Sequence, residues 1–218
     1  MGNARKRFLL LAGVLVLSVG YSQKNIYLSK NFDELSTDHQ VLAILPFFTH
    51  LDLGEDVSKS EVKKLEEQEG YAVQDALETY FGRGKKKKKF TVDFQNSEDT
   101  NALLAQSDIS YANIDRYTIK ELSQILNVDG IVSGNMDINV VLSDGVPDEI
   151  SLMDYILGDA NYGRIGIKIS DGGSGKLLWK YEQEITRKSG KNTDDLIDKM
   201  MKKAARKFPY DKENSRKK

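Results

Sequence analysis

VLAILPFF, residues 41–48, is the stretch on which the fold turns. A run that is apolar on both faces suits a strand in the middle of a sheet, covered above and below. Pro46 carries no N–H, so the regular ladder is expected to weaken there. Downstream, Ser58 with Glu61 three residues on forms a capping-box pair. Behind it Val62, Leu65, Ala72, Val73, Ala76, Leu77 and Tyr80 recur at helical spacing. Glycine favours a helix C-terminus, so this helix is expected to stop near Gly82 or Gly84. Phe90, Val92 and Phe94 then alternate with polar residues as a half-buried strand does. Upstream, residues 23–40 are mixed and polar and read as a lead-in segment.

Further along, Ser97, Glu98 and Asp99 mark another helix start, because acids favour the positive end of the helix dipole. Thr118 and Glu121 make a second capping-box pair, with Ile119, Leu122, Ile125 and Leu126 behind it. Met136, Ile138, Val140 and Leu142 alternate in the strand that follows. After an insert over residues 143–162, Ile165, Ile167 and Ile169 alternate, DGGSG turns the chain, and LLWKYEQEI returns. A glycine-rich turn between alternating runs signals a hairpin. Leu196, Ile197, Met200, Met201, Ala204, Ala205 and Phe208 form the stripe of a last amphipathic helix. Acids open that helix and Lys202, Lys203, Arg206 and Lys207 close it, as the dipole prefers. The expected fold is α/β: a single domain over residues 41–208, a mixed β-sheet of about five strands with helices packed on it, and a C-terminal amphipathic helix. Residues 209–218 read as a charged, disordered tail.

The chain has 218 residues, 39% hydrophobic and 30% charged, enough for one domain with a real core and too apolar for a disordered polymer. Arg5, Lys6 and Arg7 precede the apolar run FLLLAGVLVLSV, residues 8–19. The run has the length of a signal-peptide core and falls short of the roughly 20 residues that span a bilayer. Gly20 and Ser22 flank Tyr21 in the small-x-small pattern of a signal-peptidase site. A signal peptide over residues 1–22, cleaved after Ser22, is therefore expected, against an uncut anchor or a buried helix. The mature chain would carry no transmembrane span. Cleavage removes three cations and no acid, taking the net charge from −1 to −4. No nucleic acid is expected as a partner, since its binders are usually basic. The absence of cysteine excludes disulfides, thiolate metal sites, cysteine nucleophiles and a cysteine-borne lipid anchor.

Three segments resemble one family, the CsgG-like and TolB-N-like bacterial envelope proteins. LAILPF is similar to the family's opening V-A-V-L-P-F strand. LNVDGIVSGNM is similar to its L-G-V-D-x-I-x-x-G step from helix into strand, and ISDGGSGKLLW to its D-x-x-T-G-x-x-L-W hairpin, with Ser174 in place of threonine. The family includes a curli secretion subunit and an activator of penicillin-binding proteins. The resemblance implies an α/β fold and a non-enzymatic adaptor or assembly component of the periplasm, peripheral to the outer membrane. Its partners would be envelope proteins or further copies of itself, in a homo-oligomer. A subunit of a curli-type secretion complex is the alternative, and an envelope hydrolase a second. Pore formation is not expected. Each crossing strand needs about 9–11 alternating residues, and the insert, with Pro147, Asp144, Asp148 and Glu149, is too short and irregular for two hairpins.

No catalytic, cofactor-binding or metal-binding residue is expected. DGGSGK departs from a Walker loop, with Ser170 where the first glycine belongs and Leu177 after the lysine. His39 and His50 flank the first strand among Asp38, Asp52, Glu55 and Asp56, where strand ends are commonly polar. No G-x-S-x-G elbow occurs. Asp194 and Asp195, like Glu66 and Glu67, suit helix starts and solvated faces, and Trp179 suits the core. The sharpest charge feature is Lys85, Lys86, Lys87, Lys88 and Lys89, read as an exposed loop between helix and strand. Such a run either keeps the surface soluble or meets an anionic surface or partner.

Overall fold

The computed structural model describes residues 26–53, 57–87, 89–143, 161–186 and 188–215. The apolar run at 41–48 forms two strands, β2 (Val41–Ile44) and β3 (Phe48–Leu51), separated at Pro46. Both lie parallel to β5 (Gly130–Ile138), β2 along its first residues and β3 along its last. The interruption falls where the proline withholds a donor, as the sequence predicts.

Around β5 the sheet is mixed and has seven strands among the described residues. Its order is β1 (Ile26–Leu28), β7 (Leu177–Thr186), β6 (Asn161–Asp171), β5, β2 and β4 (Asp93–Phe94), with β3 also beside β5. β5, β6 and β7 form an antiparallel meander, and β6 and β7 join through the turn at 171–176. Gly175 supplies the left-handed residue of that turn with φ +71°. The expected strand count of about five falls short because β2 and β3 are separate strands and because β1 lies inside the segment read as a polar lead-in. Three residues are too few to show alternation, yet Ile26–Leu28 pair in register with Tyr181, Lys180 and Trp179.

Helices cover the sheet unequally. On one face α2 (Lys59–Lys86) and α5 (Thr193–Ala204) pack over the main core, with Val73, Leu77, Phe81, Ile197, Met200 and Met201 buried. On the other, α3 (Ser97–Gln106) and α4 (Ile119–Leu126) cover Ala43, Leu45 and Ile131 in a smaller cluster. Thr118 and Glu121 form the full capping box at α4, whereas Ser58 accepts from the Glu61 N–H at α2. Asn96, not Ser97, caps α3.

α2 does not stop at Gly82 or Gly84 but runs on to Lys86. Neither glycine takes the positive φ that a glycine cap uses. Gly84 serves a different need, since a Cβ there would come within 2.1 Å of the Phe90 ring. Phe90 belongs to an aromatic cluster with Phe81, Phe94 and Phe208, in which Phe81 and Phe94 stack at 3.8 Å. Trp179, fully buried, packs edge-on to Phe208 at 5.4 Å and donates from Nε1 to the Lys207 carbonyl. Burying each such ring contributes about 1.5–3 kcal/mol.

The chain after residue 208 is ordered through Ser215, a correction to the disordered tail. Tyr210 and Asp211 are buried, and α6 (Lys212–Ser215) follows. Asn214 fixes it by donating to the carbonyls of Ala205 and Phe208 at 2.8 and 2.9 Å. Phe32, at the start of α1 (Phe32–Leu35), meets the Tyr210 ring at 5.2 Å. Residues 1–25, including the expected signal peptide, lie outside the described residues, as do 144–160 of the insert. Among the described residues no helix is long and apolar enough to cross a membrane.

Candidate functional site

The lysine run is largely helix end rather than loop. Lys85 and Lys86 complete the last turn of α2, Lys87 caps it, and Lys88 lies outside the described residues. The loop expectation followed from placing the helix end at Gly82 or Gly84. Lys85 pairs with Asp93 at 3.2 Å, an exposed contact of little energetic weight. Lys89 is more committed: it pairs with buried Asp211 at 3.3 Å and bonds Tyr80. Burial alone would lower its ammonium, but Tyr80 and Asp211 outweigh that and hold it above the ordinary lysine range.

α5 brings more cations to the same end. Arg83 on α2 pairs with Asp198 on α5 at 3.0 Å, and Asp75, two turns earlier, senses the charge of Asp194. The two helices therefore run the same way, and their basic last turns lie together. Asp198 also holds Lys202 at 2.5 Å. A recess of about 270 Å³ lies between the helix ends, lined by Tyr80, Arg83, Lys87, Lys89 and Lys202 among others. Lys203, Arg206 and Lys207 extend the patch, all exposed. Among the described residues Lys86, Lys87, Lys203, Arg206 and Lys207 have no carboxylate partner. The sequence shows Lys202, Lys203, Arg206 and Lys207 as the basic end of the last helix, matched to its dipole, and the lysine run as a separate loop. Their union needed the parallel packing of two helices more than 100 residues apart.

The sheet edges are treated in contrasting ways. Along β3 the residues facing away from β5 are Phe47, Thr49 and Leu51. Their N–H groups donate to the Gly70 carbonyl at 3.1 Å, Tyr111 Oη at 2.9 Å and Glu66 Oε1 at 3.1 Å. One helix carbonyl and two side chains thus occupy the place of a further strand. Tyr111 in turn donates to the Glu66 carbonyl at 3.2 Å. β4 is two residues long, and the Phe90–Asp211 bridge follows close beside it. At the opposite edge, the Ser29 N–H reaches Leu178 at 2.8 Å, so by alternation Leu28 directs its backbone groups away from β7. Tyr27 is 49% and Leu28 41% exposed, with Leu177 at 36% on the neighbouring strand. Among the described residues no further strand pairs with this edge, and it is apolar.

The histidines fall apart into separate settings. His39 bonds Tyr210 Oη through Nδ1 at 2.7 Å and Asp171 Oδ1 through Nε2 at 2.9 Å. A carboxylate only accepts, so Nε2–H donates to Asp171, and in the neutral imidazole Nδ1 accepts from the Tyr210 hydroxyl. Asp171 also accepts from the Ser174 N–H at 2.6 Å and from Ser174 Oγ. Burial would raise the Asp171 carboxyl, but the bonds from Ser174 and His39 prevail and hold it below the usual range. Burial, then the charges of Asp171 and Asp129, push the Tyr210 hydroxyl far above its ordinary value. A phenol so strongly protonated donates rather than attacks, and the arrangement acts as a clasp between three distant segments. Cavities of about 660 and 420 Å³ lie on its two sides, both bordered by His39. His50 is exposed and lies 3.4 Å from Glu66. Among the described residues no group of three or more His, Asp or Glu side chains is placed to hold a metal ion.

No protein-family model matches the chain, and no curated protein matches it. Solved structures show a distant likeness. The lipoprotein GNA1162 from Neisseria meningitidis aligns over 77% of this chain and 96% of its own, with 11% identity and a TM-score of 0.47. The LpoB C-terminal domain from Escherichia coli aligns over 68% and 84%, with 8% identity and a TM-score of 0.35. The PelC dodecamer from Paraburkholderia phytofirmans aligns over 75% and 86%, with 10% identity and a TM-score of 0.35.

Proposed function

We propose that this chain is an exported, non-catalytic cell-envelope protein that works by holding other proteins, and that it grips them at the open edge of β1. The observation that carries this reading is the exposure of Tyr27, Leu28 and Leu177 beside backbone groups turned away from β7, in a sheet whose β3 edge has its outward N–H groups bonded, though Phe48 is exposed there too. An exposed sheet edge flanked by apolar side chains takes an extended segment of a partner as an added strand. The main-chain bonds give affinity, and Tyr27 and Leu28 give selectivity. The export-type sequence of residues 1–22 and the envelope-protein resemblance of β2, the α4–β5 step and the β6–β7 hairpin support the location.

Lysine on an edge strand opposes strand addition. A Tyr27→Lys, Leu28→Lys variant tests the reading. A photo-crosslinker at exposed Lys30 is expected to join the wild-type chain to a defined partner chain in cells. That product is expected to disappear in the variant while the melting temperature is retained. Identical crosslinking in both proteins overturns the proposal.

A further inference from the structure

The basic end of the helical layer has a charge pattern that the contact at β1 does not use. Lys86 and Lys87 leave the end of α2, and Lys203, Arg206 and Lys207 leave α5 and the 3-10 turn after it. All five are exposed and lack a carboxylate partner among the described residues. Arg83, Lys85, Lys89 and Lys202 stand beside them, already matched to Asp198, Asp93 and Asp211. The chain as a whole has a net charge of −1, so the rest of it is distinctly acidic.

We infer that this basic end docks the protein on an anionic phospholipid surface. Three features favour a bilayer over a polymer. The free cations come off the ends of two neighbouring helices, spread over several side chains rather than gathered in one narrow cleft, as contact with an extended surface requires. The acidic remainder is repelled by such a surface, so attraction and repulsion together fix one orientation. A nucleic-acid strand needs exposed rings for its bases, but Phe90 and Phe208 at this end are buried and the Tyr80 ring is half-buried. The recess lined by Arg83, Lys87 and Lys202, with Asp198 between Arg83 and Lys202, is large enough for one lipid phosphate, which Lys87 is free to meet. The inference does not depend on the proposed grip at β1.

The test is flotation of the full chain with phosphatidylcholine vesicles, with and without about 30% phosphatidylglycerol, at an anionic surface where each basic residue strengthens binding about fivefold. The apolar run at residues 8–19 can adhere to either vesicle, so the readout is the increment that phosphatidylglycerol adds. That increment is expected to fall about 600-fold in a Lys86→Ser, Lys87→Ser, Lys203→Ser, Arg206→Ser variant, and to weaken in wild type as salt rises and screens exposed charge. A control losing equal charge elsewhere, Lys59→Ser, Lys63→Ser, Lys64→Ser, Lys120→Ser, is expected to keep it, and circular dichroism of each variant checks the fold. Three outcomes overturn the inference. In one, both variants behave alike. In another, inorganic phosphate at constant ionic strength abolishes the increment, pointing to a free anion. In the third, an acidic polysaccharide or nucleic acid outcompetes the vesicles at equal charge.

Discussion

Single residues carry much of the fit between layers. Gly70 lets α2 touch the edge of β3, since a Cβ there would lie 2.3 Å from the Phe47 carbonyl and 2.7 Å from the Tyr111 ring. Gly82, in the same helix, has nothing within 4 Å. Alanine at the two sites therefore has opposite effects. Gly82→Ala is expected to stabilise by about 1 kcal/mol through helix propensity. Gly70→Ala is expected to destabilise by about 1–3 kcal/mol through overpacking. Urea midpoints of the two variants check the signs. Asp171 predicts a pH effect. Its folded pKa is depressed, so its contribution to stability is present above the unfolded value of about 3.9 and is lost as pH falls through the folded one. Asp171→Asn is expected to be less stable than wild type at pH 7, with the gap narrowing below about pH 4. Thermal melts across that range check it, and a constant gap contradicts it.

At the scale of elements, the sealed edge of β3 makes the clearest claim. Tyr111→Phe leaves the Thr49 N–H without its acceptor, a loss of about 1–3 kcal/mol for a buried donor. With Glu66→Ala added, the Leu51 N–H is freed as well, and edge-to-edge association is expected to appear in light scattering. Loss of stability without association would mean that α2 alone screens the edge. Most elements were legible because they are long and periodic: α4 with its capping box, the β5–β6–β7 meander, and α5 with its apolar stripe. What was not legible depended on partners distant in sequence. β1 is three residues whose strand character comes from β7. Gly84 reads as a helix end in the sequence, whereas in the fold it makes room for the Phe90 ring. The lysine run was visible at once, but not that Asp93 and Asp211 engage its first and last members.

For the whole molecule, the described fold begins at Ile26, just past the expected cleavage point after Ser22. On the proposed reading of an exported chain, the mature protein is expected to have the mass of a chain starting at Gln23 and to leave membranes in high salt. Intact Met1 together with a need for detergent would identify residues 8–19 as an anchor. The clasp at His39 also bears on the order in which the molecule assembles. Its two bonds bridge 132 and 171 residues of chain, whereas β6 and β7 are joined by a short turn. Entropy is lost on closing such long loops before any contact repays it, so the β6–β7 hairpin is expected to form early and the clasp to close late. Contacts made late are also released early. In hydrogen exchange, the amides of β1 and α1 should trade protons with water well before those of β5 and β6, marking the clasp as the place where unfolding starts.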